Sequence, residues 1–312
     1  CRYKLPESLE DPIYPRLFQK FREMNIGWFF YIGGNDSMDT VNKLSAYAKS
    51  ISSDIRFAGI PKSIDNDLPH TDHTPGYGSA AKYIAASIAE MAHDVKIYDI
   101  PCVTIIELMG RNAGWLTGAA ALARNEYNEL PQLIYLPEVD FDKDEFIEDV
   151  KNELKKSNCV MVAVSEGIHD SDGNYINAGT SDTFGHNQLG GAAKTLEFLV
   201  KEKLHIKCRS VEINIMQRCA AHMAAGTDIR EAYELGIAGV KYEIEGNTGF
   251  IPVLKRISDA PYRSVIEYAD LKSIANVEKK VPLEWINKAH NNVTDNMLEY
   301  VKPLINGETH HL

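Results

Sequence analysis

The hydrophobic positions of the chain fall into short apolar runs that alternate with longer amphipathic segments. Short runs bounded by turn residues are typical of buried strands, and a period of 3.6 residues between them is typical of helices. The alternation therefore predicts an α/β fold with parallel strands joined by crossover helices. The predicted strands lie at about 28–32, 55–60, 102–108, 132–137, 158–165, 208–216 and 249–254, and the predicted helices at about 15–24, 36–51, 76–94, 112–125, 142–155, 189–203 and 221–235.

Composition limits the class of protein and its partners. The 312 residues, 44% hydrophobic and 25% charged, can form a large core, and this length favours two domains over one. A net charge of −11 would repel a phosphate backbone, which excludes nucleic acid as the expected partner. An anionic substrate must then be held by a local cluster of Lys, Arg and backbone N–H groups.

Cysteine usage and apolar run length predict where the protein is found. The five cysteines are odd in number, lie far apart and form no C-x-x-C pair, so we expect reduced thiols and a cytoplasmic location. The longest apolar runs, 28–32 and 160–164, are far shorter than the ~18 residues that a membrane span needs. No basic and apolar leader precedes them, so the sequence predicts an unexported protein without a membrane partner.

Chemistry should concentrate just after each strand, because ligands of open parallel sheets bind beyond the carboxyl ends of the strands. Gly33-Gly34 follows the first strand and lets a backbone approach a ligand and aim N–H groups at an anion. The pair alone fits a tight turn before a helix equally well. No G-x-x-x-x-G-K-[ST] motif occurs, which excludes the P-loop class.

Two carboxylates follow the second strand. Asp65 and Asp67 flank an Asn, so one could serve as a base for a hydroxyl proton and the other as a metal or structural partner, although a simple turn has the same sequence. Lys62, just before them, has the compact charge that suits a phosphate oxygen. Arg111 opens a later predicted helix, where a guanidinium can meet an anion.

The order and spacing of these segments resemble the phosphofructokinase family, and within it the short pyrophosphate-dependent 6-phosphofructokinases, from about Arg2 to about residue 255. The resemblance implies two Rossmann-like lobes with mostly parallel sheets and an active site between them. It also implies phosphoryl transfer from pyrophosphate to the 1-hydroxyl of fructose 6-phosphate with magnesium. The expected donor lobe is 1–76 with 217–260 and the expected sugar lobe is 77–216 with 261–312. The family's opening strand and phosphate loop are expected to precede Cys1.

The resemblance also implies roles for single residues. Asp65 is similar to the family's general base, Ser63 stands where the family has a substrate-contacting Thr, and Arg111 would stabilise the transferring phosphoryl group. The remaining sugar-binding positions are Met109, Gly110 and Glu166, with Arg209 and Arg218 for the 6-phosphate. Because such arginines reach a neighbouring subunit in the family, a homodimer or homotetramer is implied. The donor positions are Arg2, Gly33, Gly34, Asp36 and Lys62.

The choice between pyrophosphate and ATP as phosphoryl donor is predicted from Asp36. ATP-using relatives usually have Gly there, and a carboxylate would repel the α-phosphate of ATP while leaving room for pyrophosphate. Asn35 stands where many relatives have a metal-binding Asp, so the expected magnesium ligands are Asn35 and Asp67. Two alternatives stay open, an ATP-dependent 6-phosphofructokinase and a sugar-phosphate-binding subunit without catalysis. A nicotinamide dehydrogenase is disfavoured because G-x-G-x-x-G is absent.

Overall fold

The computed structural model describes residues 3–97, 99–176 and 191–308. The described residues form two compact units, one from the ranges 1–76 and 229–279 of the chain and the other from 77–228 and 280–312. The helices are α1 (Ile13–Glu23), α2 (Asn35–Ser50), α3 (Tyr77–Val95), α4 (Trp115–Ala119), α5 (Lys143–Leu154), α6 (Ala192–Leu204), α7 (Met216–Cys219), α8 (Gly226–Ile244), α9 (Leu271–Ile274) and α10 (Asp295–Val301), with 3₁₀ turns at Ala120–Ala123, Ala221–Met223, Leu283–Trp285 and Lys302–Ile305. The strands are β1 (Trp28–Gly33), β2 (Arg56–Pro61), β3 (Cys102–Leu108), β4 (Leu133–Tyr135), β5 (Cys159–Ser165), β6 (Lys207–Glu212), β7 (Phe250–Asp259) and β8 (Tyr262–Asp270).

The first unit is built on a four-stranded sheet of order β1-β2-β7-β8. The first three strands are parallel, whereas β8 pairs antiparallel with β7. A cluster of aromatic and aliphatic side chains from α1, α2 and the sheet forms its core, including Tyr14, Phe18 and Phe57, which are fully buried. This packing fixes α2 against β1 and β2, so the segments that follow those two strands have a rigid support.

The second unit is built on a wholly parallel sheet of order β4-β5-β3-β6. Every residue of β3 and β5 is buried. Runs of Val and Ile fill both strands because crossover helices cover both faces of such a sheet. The carboxyl ends of β3 and β5 lie side by side, with Leu108 opposite Ser165.

The predicted α/β class and all seven predicted strands are confirmed, with three differences in detail. Strand β6 ends at Glu212 rather than 216, because Asn214 has a left-handed φ of 50° and α7 begins two residues later. The helix predicted over 112–125 is only α4 and a 3₁₀ turn. The sequence missed β8, an edge strand whose side chains are exposed in alternation and therefore carry little hydrophobic signal.

The later boundaries between the compact units lie at 228 and 279, and the functional lobes expected to meet at 216 and 260 stay a prediction. The antiparallel pairing of β8 with β7 keeps 262–270 in the first unit. Gln217 belongs to the second unit because its side chain accepts a hydrogen bond from the Met109 N–H. Across the described ranges, no helix has both the length and the apolar character that crossing a membrane requires.

Candidate active site

The ends of β1 and β2 bring the predicted donor loop and the predicted base segment together. The Lys62 N–H donates to the Gly33 carbonyl over 3.0 Å, so 33–34 and 61–63 run side by side. A Cβ at Gly33 would overlap the Ser37 side chain, whereas one at Gly34 would meet only ordinary contacts. Gly33 is therefore required for α2 to begin directly against the strand.

Asp36 lies in the first turn of α2, where its negative charge interacts favourably with the helix dipole. Its carboxylate is 76% exposed and lies 3.2 Å from the Lys4 ammonium. This ion pair was not predicted. In the sequence, the pair could have been suspected only from Lys4 as a second basic residue close to Arg2. Arg2 lies outside the described residues.

The Asn35 amide bonds to the backbone of a distant segment. Its Nδ2 donates to the Val277 carbonyl over 2.6 Å, and its Oδ1 accepts from the Asn276 N–H over 2.7 Å. The side chain that was expected to bind a metal thus anchors the start of α2. A metal would have to use the remaining lone pair of Oδ1.

The segment after β2 holds Asp65 through local hydrogen bonds. The Asp65 N–H donates to Oγ of the buried Ser63 over 3.1 Å, and Thr74 Oγ1 donates to the Ser63 carbonyl over 2.5 Å. Asn66 is fully buried with φ of 55°, a left-handed conformation that Asn tolerates better than most residues. Its Oδ1 accepts from the Thr74 N–H over 3.1 Å. The predicted base is therefore half-buried on a firmly tied turn.

Asp67 has a buried carboxylate oxygen near the negative charge of Asp65 and the positive charge of Lys279. Its Oδ1 is buried and has no hydrogen-bond partner among the described residues. Burial, reinforced by the charge of Asp65, raises the Asp67 pKa to about 6. A proton or a divalent cation would offset the unfavourable burial of the Asp67 negative charge. The described ranges contain no group of three His, Cys, Asp or Glu residues able to hold a metal, so a cation here would need phosphate oxygens or water as further ligands.

The predicted sugar-binding residues of the second unit meet at the ends of β3 and β5. The Gly110 N–H donates to Glu166 Oε1 over 3.3 Å, and the Glu166 N–H donates to the Leu108 carbonyl over 2.9 Å. Gly110 has φ of 130°, which requires glycine. A Cβ on Gly167 would overlap the Arg111 carbonyl. Two glycines thus allow the segments that carry Arg111 and Glu166 to pack closely.

A cavity of about 60 Å³ lies at this edge of the sheet and has an acidic lining that the sequence did not predict. Glu107 is buried, and its Oε2 accepts from the Ala193 N–H over 2.8 Å at the start of α6. Burial raises the pKa of Glu107 despite this bond. The sequence could have indicated this acidic lining through Glu107, the one charged residue in strand β3. The lining residues are Glu107, Leu108, Met109, Glu166, Glu212, Asn214 and Gln217.

The two arginines expected to bind the 6-phosphate lie in different surroundings. Arg218 is exposed in α7 and follows Gln217, which contacts the Met109 backbone. Arg209 lies in β6 opposite Thr104, about 17 Å along the strand direction from Met109. Its Nη1 donates to Asp94 over 2.9 Å. Within one chain the structure therefore does not bring Arg209 to Met109 and Gly110.

Glycine turns, cationic side chains and carboxylates at the carboxyl ends of parallel strands define an α/β enzyme of the kind that acts on phosphorylated substrates. The phosphofructokinase family model matches residues 2–242, and this chain belongs to that family.

Similar proteins agree with this assignment. A pyrophosphate–fructose 6-phosphate 1-phosphotransferase of Methylococcus capsulatus is 42% identical over 99% of this chain and 74% of its own length. A sulfofructose kinase of Alkalicoccus urumqiensis is 30% identical over 96% of this chain and 77% of its own length. The crystal structure of a pyrophosphate-dependent phosphofructokinase from Nitrosospira multiformis is 38% identical, with a TM-score of 0.86, over 95% of this chain and 72% of that one.

Proposed function

We propose that this chain transfers a phosphoryl group from pyrophosphate to the 1-hydroxyl of fructose 6-phosphate, giving fructose 1,6-bisphosphate and phosphate. The observation that carries the proposal is the contact between the Gly33-Gly34 turn and the Lys62 backbone, which precedes Asp65. This arrangement provides N–H groups and a cation for the donor next to a base for the acceptor. Four relatives that bear this activity in their names are 37–43% identical to the chain and support the proposal.

Asp65 serves as the general base. Its carboxylate accepts the proton of the 1-hydroxyl while that oxygen bonds to phosphorus, and the bond from phosphorus to the bridging oxygen of pyrophosphate breaks. The Ser63 hydroxyl fixes the backbone at Asp65, which limits the positions the carboxylate can reach. Arg111 stabilises the charge of the transferring group.

Donor choice is assigned to Asp36, with Lys62 in support. The Asp36 carboxylate at the start of α2 repels the α-phosphate of ATP and occupies the space that this phosphate needs. Pyrophosphate has no phosphate at that point. Lys62 is exposed beside the turn and pairs with donor oxygens. Lys4 pairs with Asp36, and the Lys4 ammonium can also attract a diphosphate. Arg2, Gly33 and Gly34 complete the proposed donor set.

Magnesium is the proposed metal. Asp67 would hold it through the carboxylate oxygen that lacks a hydrogen-bond partner within the described part of the chain, and Asn35 would contribute only through the free lone pair of its amide oxygen. When bound, the ion neutralises charge on the donor phosphates.

The sugar is assigned to the second unit and the donor to the first. Met109, Gly110 and Glu166 bind the sugar, and Arg209 and Arg218 bind its 6-phosphate. Since Arg209 lies away from this cluster in its own chain, it would act on a neighbouring copy, in a homodimer or homotetramer. The described cysteines are free thiols, which supports a cytoplasmic location.

The test is formation of fructose 1,6-bisphosphate by the full chain, with magnesium and either pyrophosphate or ATP. Turnover with pyrophosphate alone is the expected result, and omission of magnesium should abolish it. Turnover with ATP alone would refute the role of Asp36 and favour the ATP-dependent alternative. Binding of fructose 6-phosphate without turnover with either donor would favour the non-catalytic subunit.

A further inference from the structure

The base of the proposed reaction lies on a segment that has little regular structure of its own. Residues 62–76 connect β2 to α3 and include Asp65. Apart from the turn around Ser63 and Thr74, this segment must be ordered by contacts with other parts of the unit. A displacement of about 1 Å in a catalytic group can cost about 100-fold in rate. Whatever fixes this segment therefore matters for catalysis.

Lys279 reaches three points of the segment from more than 200 residues away in the sequence. Its Nζ donates to the Asp72 carbonyl over 2.7 Å, to the Thr71 carbonyl over 3.2 Å and to Asn66 Oδ1 over 3.3 Å. Its own backbone N–H donates to the Asp67 carbonyl over 2.7 Å. One residue thus ties down both the turn that contains the base and the irregular stretch that follows it.

Holding the ammonium in this place is costly. Part of the side chain is exposed, but the charge is enclosed well enough that burial lowers the Lys279 pKa to about 8. The three acceptors named above are neutral oxygens, and the negative charges of Asp72 and Asp67 offset only part of the effect of burial on this pKa. A methionine of similar length could fill the same space at lower cost, so packing alone does not explain a lysine.

We propose that Lys279 is a positioning residue for phosphoryl transfer, whose ammonium fixes the turn that presents Asp65 to the sugar hydroxyl. It touches neither substrate nor donor in this role. The inference rests on the proposed function, because it takes Asp65 to be the base. It predicts that Lys279 affects the rate of the chemical step more than substrate binding.

The experiment compares Lys279→Met and Lys279→Gln with a matched control, Lys43→Met. Lys43 is a buried lysine in the same unit whose Nζ binds the Leu5 carbonyl, Glu7 and Asp39, away from residues 62–76. We expect Lys279→Met to lower kcat about 100-fold with KM for both substrates nearly unchanged. Lys279→Gln keeps a hydrogen-bond donor, so its kcat should lie between those of Lys279→Met and the wild type. Lys43→Met should keep the wild-type kcat.

Amide hydrogen exchange provides a readout that does not depend on activity. Protection of the Asp67 to Thr74 amides should fall in Lys279→Met and persist in Lys43→Met. Wild-type kcat and protection in both Lys279 variants would overturn the proposal, as would equal losses of kcat in Lys279→Met and Lys43→Met. If the wild-type chain transfers no phosphoryl group, the proposed function fails, and the exchange data alone decide whether Lys279 orders this segment.

Discussion

His73 in the first unit should make the stability of the fold decrease as the pH rises above the ordinary pKa of histidine. The ring is 1% exposed, with Nδ1 at 2.8 Å from Asp72 Oδ2 and Nε2 at 2.7 Å from Glu231 Oε2. A neutral imidazole donates from only one nitrogen, so both contacts are hydrogen bonds only when the ring is protonated. Arg256 also binds Asp72, and Tyr262 donates to Glu231. The network joins α8, β7 and the start of β8 to the segment that follows the base.

The direction of the pH effect follows from the pKa of His73. Burial opposes the charged ring, but hydrogen bonds to Asp72 and Glu231 and their negative charges outweigh it and raise the pKa above the ordinary value. The stabilisation is therefore complete below about pH 6.5 and is lost as pH rises through the folded-state pKa. Each unit by which the folded pKa exceeds the unfolded one contributes about 1.4 kcal/mol to the free energy of unfolding.

The test is His73→Gln, whose amide can donate to only one of the two carboxylates at a time. Removal of one partner from a buried ionic cluster costs roughly 3–5 kcal/mol, and we expect the lower end because Arg256 and Tyr262 still bind the carboxylates. Urea midpoints of both proteins are measured from pH 6 to pH 10. The difference between them should shrink as pH rises, while contributions of other groups, such as Lys279, largely cancel. Parallel midpoint curves across this range would refute a charged imidazole.

Three further predictions concern the proposed site and its glycines. Asp65→Asn should lower kcat at least ~100-fold with little change in KM for fructose 6-phosphate, and a fall in binding alone would contradict its role as the base. Asp36→Gly should raise kcat/KM with ATP at least about fivefold, the effect of removing one like-charge contact in a solvent-exposed place, and an unchanged ATP rate would remove Asp36 from donor selection. Gly167→Ala should cost roughly 1–3 kcal/mol of unfolding free energy, because its Cβ would overlap the Arg111 carbonyl. The control Gly236→Ala, in α8 where a Cβ meets nothing within 4 Å, should be neutral or stabilising by up to about 1 kcal/mol, and equal losses in both alanine variants would contradict the steric argument.

The sequence predicted the features that depend on local pattern. Buried strands such as β3 and β5 are mostly apolar runs, and Gly33-Gly34 marks a turn before a helix, so both could be located without a structure. Strand β8 could not be located from the sequence. It is an edge strand with one exposed face, so it has fewer apolar residues than a strand buried on both faces. The helix over 112–125 was predicted too long, since buried apolar residues continue past α4 into a 3₁₀ turn.

The missed parts of the site are contacts between residues far apart in the chain. Lys279 lies in the charged stretch Glu278-Lys279-Lys280, which has the composition of a solvated surface. Only folding shows that its ammonium meets Asn66. Lys4 and Asp36 are likewise separated by a whole helix and strand. Such pairs leave no periodicity or spacing in the sequence, so the residues that support the candidate base became visible only in three dimensions.

The interrupted course of the first unit has a consequence for synthesis on the ribosome. Strand β2 is complete at Pro61, but its partner β7 and the adjoining β8 end only at Asp270. Until then β2 lacks the strand that pairs with its second edge. At translation rates of about 5–20 residues per second, roughly 210 residues take on the order of 10–40 s. During that interval the nascent chain exposes the apolar edge of β2, so chaperone capture at this stage should influence the yield of folded protein.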